Sequence, residues 1–182
     1  QTVFAAAGAA GGDPVYVDDV FSTFLWTGDN TANRAIVNGI DNTEGGLVWA
    51  KDRQNANHHQ LYDTERGASY YLDSGASSAQ ASQSGKFVSF NNNGFTISNT
   101  SGSPIPLNYS GRDFVGWNFR KAPGFFDVIT WVGNDVVGRQ IPHSLGSVPG
   151  MIIVKAYNNS GESWHVYHRS LGNTKYLLLN ST

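Results

Sequence analysis

The sequence contains two copies of one pattern, because residues 21–51 return in recognisable form at residues 126–155. A shift of 105 positions, the separation of Phe21 and Phe126, superimposes most of the two copies, and the shift falls to 104 around Lys51. The one-residue gaps lie in polar stretches that suit loops, where related folded units differ in length. The matched pairs are Phe21/Phe126, Trp26/Trp131, Gly28/Gly133, Arg34/Arg139, Lys51/Lys155, Tyr62/Tyr167, Gly67/Gly172 and Tyr71/Tyr176.

The repeat sets the expected domain boundaries. Residues 1–14 are an Ala/Gly-rich arm with too few apolar residues for a core, either a disordered terminus or an assembly arm. Residues 15–120 form the first unit, and residues 121–182 begin a homologous second unit that lacks a copy of residues 86–120. Such a unit would expose strand edges and an apolar face. We therefore expect the natural polypeptide to continue, or otherwise another chain to supply the missing strands.

Short segments rich in β-branched and aromatic residues alternate with Gly, Asn and Asp turns, without helical periodicity. This pattern predicts an all-β fold, an antiparallel β-sandwich of jelly-roll type. An Asn-Gly pair at 93–94 predicts a hairpin, because both residues tolerate positive φ, and residues 74–85 are predicted to be a loop. The predicted strands are 15–26, 35–37, 46–51, 59–63, 70–72, 86–90, 95–98 and 114–120, then 127–132, 140–141, 151–157, 163–168 and 175–179.

Composition excludes several classes of partner. The net charge is -2 without a block of like charge, so neither nucleic acid nor an anionic membrane surface is an expected partner. The chain contains no cysteine, which rules out disulfides and thiolate chemistry. No apolar run reaches the ~20 residues of a membrane span, so no membrane insertion is expected.

The histidines do not form a metal site by their spacing. His58 and His59 are adjacent, and His165 and His168 are three apart. On a strand both spacings place the two side chains on opposite faces, so neither pair chelates a metal unaided. We predict no metal, no cofactor and surface positions for these histidines.

A pair of carboxylates raises the question of catalysis. Asp63 and Glu65 would share a face of an extended segment, as the acid pair of a glycosidase does. Their counterparts in the second copy are His168 and Ser170, and residues before the turn glycine Gly67 suit a structural role better. We therefore predict no catalytic residues and a protein that is not an enzyme.

The residues that recur in both copies indicate structure. The repeated tryptophans and tyrosines, Trp26/Trp131, Tyr62/Tyr167 and Tyr71/Tyr176, are predicted to fill the core, and the repeated glycines to form turns with positive φ. Arg34 and Arg139, like Lys51 and Lys155, are charges kept by both copies. Each is predicted to cap a carboxylate or a set of carbonyls, or to contact the neighbouring unit.

Function is instead expected where the copies differ, in the loops at 54–59 and 74–85, on the arm, and on the face that the second unit leaves open. Exposed aromatic and amide side chains in loops are the material of a glycan site. A speculative glycan-contact surface comprises His58, His59, Asn92 and Tyr109.

Several strings resemble a known family. They are GGLVWAKDRQNANHHQLYDTERGASYYLDS, FVSFNNNGFTI and FVGWNFRKAPGFFDVITW in the first copy, then GRQIPHSLGSVPGMIIVKAY and WHVYHRSLGNTKYLLLN. Over roughly residues 18–182 they resemble a repeated concanavalin-like or laminin-G-like sandwich domain in virion proteins of marine, cyanophage-like tailed phages.

The resemblance implies a non-enzymatic virion protein in a tail fibre or another external appendage, oligomeric and in contact with other virion subunits. A role in host attachment, through a surface glycan, would fit the same location. The alternatives are a capsid decoration or head-associated protein, and a glycan-binding or depolymerising host-recognition module.

Overall fold

The computed structural model describes residues 3–4, 15–83, 85–99 and 107–181. Apart from the strand at 3–4, the predicted arm therefore lies outside the described residues. The elements are β1 (Val3–Phe4), β2 (Val15–Tyr16), α1 (Val17–Val20), β3 (Phe21–Thr27), β4 (Arg34–Val37), a 3-10 helix (Asn42–Glu44), β5 (Gly46–Asp52), β6 (Gln60–Asp63), β7 (Tyr70–Asp73), β8 (Ala81–Ser82), β9 (Phe87–Asn91), β10 (Gly94–Ile97), β11 (Asp113–Arg120), β12 (Met151–Val154), β13 (His165–His168) and β14 (Leu177–Leu178).

Two antiparallel sheets form a sandwich, which confirms the predicted fold class. One sheet has the order β3-β11-β5-β6-β7-β8 and the other has the order β4-β10-β9. Strand β5 shows why they pack: Val48 and Ala50 are buried on the inner face, while Trp49 between them is half-buried on the outer face. The finer jelly-roll assignment and the boundaries of the two units remain predictions.

Aromatic rings fill the space between the sheets. Phe95 on β10 is fully buried, with its ring centroid 5.8 Å from Trp26 on β3 and 5.4 Å from Phe87 on β9. Tyr62 on β6 stacks on Phe87 at 4.6 Å. Large rings from both sheets therefore make one core, and offset contacts of this kind add to the free energy of area burial.

Buried amide side chains join the sheets at one end of the core. Asn118 on β11 donates to Asn42 Oδ1 at 2.7 Å and accepts from Asn38 Nδ2 at 3.0 Å. Asn42 also donates to the Gly94 carbonyl at 2.6 Å. Because each buried amide has partners, the network costs little in desolvation and fixes how the sheets face each other.

The predicted hairpin at the Asn-Gly pair forms, but with a different turn. Asn91 pairs with Gly94, so the turn residues are Asn92 and Asn93, neither of which has a positive φ. Gly94 is needed for another reason. Its φ is 144°, and a Cβ there would lie 2.0 Å from the Ile36 carbonyl oxygen.

The predicted strand at 15–26 is wrong for residues 17–20. Residues 15–16 form the short strand β2, which pairs with β1, and residues 17–20 form the single turn α1 before β3 begins. The Asp19 carboxylate accepts the backbone amide of Tyr16 at 2.9 Å, and Asp18 adds a second charge at the helix start. Acidic residues there favour a helical turn over an extended chain.

The predicted loop at 74–85 is also interrupted by structure. Residues 81–82 form β8, which pairs with β7 through Tyr71 and Ala81. Its small residues allow a short edge strand, which limits the unpaired edge that the sheet presents.

The second unit forms only part of the predicted sandwich. Its strands β12, β13 and β14 make one antiparallel sheet and are shorter than the predicted segments 151–157, 163–168 and 175–179. The predictions at 127–132 and 140–141 are wrong, since neither segment is a strand in the part of the chain that the structure describes. In the first unit the equivalent strands pair with β11 and β10, and residues 1–182 contain no second copy of those partners.

No helix among the described residues is long and apolar enough to cross a membrane.

Candidate functional site

The repeated lysines cap carbonyls in the same way in both units. Lys51 Nζ donates to the carbonyls of Asp52 and Asn55, the latter at 2.7 Å. Lys155 Nζ donates to the carbonyl of Ala156 at 2.9 Å and to that of Asn159 at 3.5 Å, which are the equivalent positions one and four residues on. Burial lowers the pKa of Lys155. Each lysine therefore closes the loop that follows its strand, one of the roles predicted for it.

The repeated arginines make the second shared contact. Arg34 Nη1 donates to the Thr27 carbonyl at 2.5 Å, and Arg139 Nη1 donates to the Val132 carbonyl, seven residues back in each case. Arg34 also lies 3.3 Å from the Asp29 carboxylate. Each arginine thus stabilises the turn that joins the first two repeated segments of its own unit.

The two units are joined by hydrogen bonds between loops. The Ser77 carbonyl of the first unit accepts from Gly161 N at 2.9 Å and from Lys155 Nζ at 3.3 Å. Gln80 N donates to the Tyr157 carbonyl at 2.7 Å. The loop at 74–80, where function was predicted because the copies differ, therefore binds the neighbouring unit.

Trp164 is the main apolar contact at this joint. It is only 4% exposed and packs against Leu61 and Leu72 on the outer face of the first unit. Its indole Nε1 donates to the Asp73 carbonyl at 2.9 Å, and its backbone amide donates to Asn180 Oδ1. Because its polar atom is satisfied, nearly the whole side chain contributes apolar burial to the joint.

A second contact between the units surrounds the linker. Lys121 Nζ lies 2.9 Å from Glu65 Oε1 and 3.1 Å from Asp127 Oδ1. Burial would lower the Lys121 pKa, but the two carboxylates outweigh it and raise that pKa. The Ser144 amide donates to Asp127 at 2.7 Å. A lysine held between carboxylates of both units restricts the direction in which the chain leaves β11.

Asp52 organises the loop at the end of β5. Its side chain is almost fully buried and accepts from the Gln54 amide at 2.9 Å and from Asn55 Nδ2 at 2.9 Å, with Arg112 Nη1 at 3.3 Å. Burial alone would raise the Asp52 pKa, but these hydrogen bonds and the Arg112 charge outweigh it and lower the pKa. The sequence analysis did not single out this residue, and its counterpart, Ala156, gives no repeat signal.

Asp52 should make stability depend on acid pH. A lowered pKa in the folded state means that the stabilisation is present above the unfolded pKa of about 3.9 and is lost as the pH falls through the folded pKa. We expect Asp52→Asn to lose about 1–3 kcal/mol at pH 7, and this deficit to shrink as the pH falls from about 5 to 2.

Urea denaturation of both proteins at several pH values measures this difference. Asp135→Asn, which removes the same charge from an exposed position, serves as the matched control and should show little deficit at any pH. A deficit for Asp52→Asn that is the same at pH 7 and pH 2 would contradict the account.

An aromatic cluster lies on the outer face beside this loop. The His59 and Trp117 rings stack at 6.1 Å with an interplanar angle of 11°, and Trp49 Nε1 donates to His59 Nδ1 at 2.8 Å. Burial, with a smaller effect of the Lys51 charge, lowers the His59 pKa. Because the indole can only donate, Nδ1 accepts and His59 is neutral with its proton on Nε2.

Two other candidate glycan contacts lie at the same end of the sandwich. Tyr109 is 47% exposed, and the Arg112 guanidinium lies 4.4 Å from its ring centroid. Arg112 pairs with Asp52, and Asp52 is the residue at which the loop carrying His58 begins. His58 is exposed and pairs with Asp73 through Nδ1. Tyr109 and His58 therefore flank the same group of loops.

Asn92 lies elsewhere. Asn92 lies in the turn before β10, near the place where Gly94 pairs with Val37 at the end of β4. Tyr109 lies near the opposite end of β4, because Arg34 at the start of that strand donates to Asn108. The structure therefore does not bring Asn92 together with the two histidines and Tyr109.

Each of the two carboxylates considered for catalysis is paired with a cationic side chain. Asp63 is buried and accepts from Arg66 Nε at 2.6 Å and from the Arg66 amide at 2.9 Å. Glu65 pairs with Lys121. These contacts fit the structural interpretation of both residues. Among the described residues, no group of three or more His, Asp or Glu side chains could hold a metal ion.

The repeated glycines serve two different purposes. Gly67 and Gly172 have φ of 85° and 75°, as predicted. The prediction of positive φ is wrong for Gly28 and Gly133, which are not among the positive-φ residues. A Cβ on Gly28 would lie 2.1 Å from the Tyr109 carbonyl oxygen, so close backbone approach explains that glycine, while nothing crowds Gly133.

The repeated aromatics fill a core only in the first unit. Trp26 and Tyr62 are buried there, and Phe21 and Tyr71 are half-buried. In the second unit Trp131 and Tyr176 are exposed, and Phe126 and Tyr167 are half-buried. The core prediction thus holds for the first copy of the tryptophan and tyrosine pairs, since Trp26 and Tyr62 belong to the core and Tyr71 packs against it, whereas Phe21 and Phe126 are half-buried alike.

Comparison with known proteins gives one family. A family model described as a domain of unknown function, DUF7483, matches residues 17–182 and so spans both units. No curated protein matches the chain, and no solved structure does.

Proposed function

We propose a structural function for this chain, which belongs to the DUF7483 family: it is a non-enzymatic subunit of a tailed-phage virion, in a tail fibre or another external appendage. The virion location rests on the resemblance of the repeated strings to phage appendage domains. The structural role rests on how the two units are joined.

The packed joint is the observation that carries the proposal. Consecutive units are connected by a short linker at 121–124, and they also share hydrogen bonds around Ser77 and the buried Trp164 side chain. A flexible linker would leave the spacing of the units free, whereas a packed joint fixes it. Fixed spacing between similar units is what an extended virion appendage requires.

The proposed partners are other virion subunits and further copies of the same chain, arranged with cyclic symmetry as in most homo-oligomers. A net charge of -2 without a basic block gives no surface for nucleic acid.

The test uses purified particles of the phage that encodes the chain. Peptide mass analysis should detect the chain at a stoichiometry of several copies per particle, and gold-labelled antibody against it should mark the tail or its appendages. Label on the head would support the capsid-decoration alternative instead. Absence of the chain from particles would reject both virion locations.

A second candidate is glycan recognition at the loop end of the first unit. Its specific support is that exposed Tyr109 and His58 flank one group of loops, next to the stacked pair of His59 and Trp117. Aromatic faces beside amide and imidazole groups suit a sugar ring.

A glycan array and a polysaccharide-cleavage assay test this candidate. Binding that Tyr109→Ala weakens, while the matched change Tyr176→Ala at a 64% exposed position in the second unit does not, would support it. Cleavage of a polysaccharide would indicate the depolymerising form, and a blank in both assays would remove the candidate.

A further inference from the structure

We propose that strand β3 of the first unit is a dimerisation edge, which pairs antiparallel with β3 of a second copy of this chain. The inference rests on the structural function proposed above and deepens it, because it names a surface through which one subunit binds another. The open part of this edge is the backbone of residues 23–25, with Phe24 at its centre.

The first observation is that β3 is the edge of the six-stranded sheet and pairs only with β11. The Asp113 carbonyl accepts from Arg53 N at 2.8 Å on the side of β5, so Thr27, its partner on β3, directs its backbone groups away from β11. Because this direction alternates along a strand, the N–H and C=O groups of Thr23 and Leu25 also point away from β11. Within the described ranges of the chain, these groups have no hydrogen-bond partner.

The second observation is that contacts within the chain close both ends of this edge. At the start of β3, the Phe21 amide donates to the Val17 carbonyl. At its end, the Thr27 carbonyl accepts from Arg34 Nη1 at 2.5 Å. The open backbone groups are therefore those at positions 23 and 25, in the middle of the strand.

The third observation is that the other sheet edges of the first unit carry features that hinder pairing. Strand β8 has two residues, and β4 begins with the charged Arg34. The pairing of β9 with β10 shifts register between Thr96 and Ile97. By contrast, β3 has seven residues in unbroken register with β11, and none of them is charged or a proline. Since charges, prolines, bulges and short strands are the usual means of blocking an edge, β3 is the edge left open to pairing.

A second copy of the chain fits this edge because the open segment is complementary to itself. In an antiparallel pair centred on Phe24, Thr23 lies opposite the partner's Leu25, and Leu25 lies opposite the partner's Thr23. Each of these pairs exchanges both of its N–H···O=C bonds. The Leu25 side chain, which is 55% exposed in the single chain, would then pack against the partner strand.

The closed ends of the edge favour a second copy over a foreign strand. A foreign strand would leave its own backbone groups opposite Phe21 and Thr27 without partners, and such groups are costly when covered. In a second copy, the groups at those two positions are already bonded within its own chain. The contact has a twofold axis and uses the same edge of both copies, so it makes a dimer and not a filament.

The contact is small, so the affinity should be weak, with a dissociation constant of about 100 µM. The isolated chain should therefore be a monomer at low micromolar concentration. In an appendage, neighbouring copies are held at an effective concentration of about 1 mM, at which the same contact forms.

Sedimentation of the full 182-residue chain from about 10 µM to 1 mM tests dimerisation, and the mass should rise from monomer to dimer. Leu25→Lys should raise the dissociation constant at least about tenfold, because it places a charge on the open edge. Val37→Lys is the matched control, since Val37 is also 55% exposed and lies on another edge strand, β4. It should leave the dimer unchanged.

Cysteine substitution tests the register, because the natural residues include no cysteine. Phe24→Cys should form a disulfide-linked dimer on mild oxidation, since the two copies of residue 24 face each other with about 4.5 Å between their Cα atoms. In the same register the two copies of residue 27 lie about 20 Å apart, so Thr27→Cys should not cross-link. Leu25→Lys leaves the core unchanged and remains informative if Phe24→Cys disturbs the sandwich.

Three results would overturn the proposal: a monomer at about 1 mM, equal weakening by Leu25→Lys and Val37→Lys, or cross-linking of Thr27→Cys without that of Phe24→Cys. Slow exchange of the Thr23 and Leu25 amides in a monomer would also overturn it, because the chain itself would then cover the edge. None of these results bears on whether the chain is present in virions, so failure of the dimer and failure of the structural function can be told apart.

Discussion

Replacing Phe95 with alanine is expected to lower the free energy of unfolding of the first unit by about 3–5 kcal/mol. Phe95 is fully buried at the centre of the three-stranded sheet, between the rings of Trp26 and Phe87. Alanine would leave a cavity between two sheets that are held apart by other large rings, so the core could not close around it.

Chemical denaturation followed by amide exchange of residues 21–120 measures the loss. Leu25→Ala is the matched control, because it removes a large apolar side chain that is 55% exposed on β3. It should change stability by less than about 0.5 kcal/mol. Equal losses in the two variants would mean that the space between the sheets is not the main core.

How far a sequence can predict this fold depends on whether the determinants are local. A carbonyl cap is one of the roles that the sequence indicates for Lys51 and Lys155, because both copies keep the same charge, but the capped carbonyls one and four residues later are seen only in the structure. The alternation along β5 could also be predicted, since a period of two directly encodes one buried face.

The absence of strands at 127–132 and 140–141 could not be predicted from local sequence. Phe21–Thr27 and residues 126–132 have corresponding aromatic positions, yet only the first segment is a strand. The difference is a hydrogen-bonding partner, which β11 provides to β3 and which no strand among the described residues provides to 126–132. The preference of a segment for the strand conformation depends on the neighbouring strands against which its side chains pack, so the segment's own residues do not decide it.

The joint between the units could not be predicted from the sequence for a related reason. Trp164 occupies the position that His59 has in the first copy, so the only sequence signal was a difference between copies. His59 packs within its own unit on Trp117, whereas Trp164 packs on the neighbouring unit. Neither contact follows from spacing along the chain, because each needs the relative positions of two folded parts.

Replacing Trp164 with alanine is expected to detach the second unit from the first. Trp164 is 4% exposed and donates to the Asp73 carbonyl, so the change removes a buried indole and leaves that carbonyl without its partner. Such a truncation costs about 3–5 kcal/mol. Because the strands of the second unit form a single three-stranded sheet, and Trp164 belongs to a buried cluster with Leu61 and Leu72 of the first unit, the joint rather than the first sandwich should open.

Hydrogen exchange of the intact chain distinguishes these outcomes. In Trp164→Ala, exchange in residues 151–179 should accelerate, while residues 46–63 should keep the wild-type rate. Trp131→Ala, which removes the same side chain from a 38% exposed position in the second unit, should leave the joint intact, and Trp164→Phe should restore part of the protection. Uniform acceleration through both units would show that the sandwich and the joint unfold as one, and then the packed joint would not be a separable link between repeats.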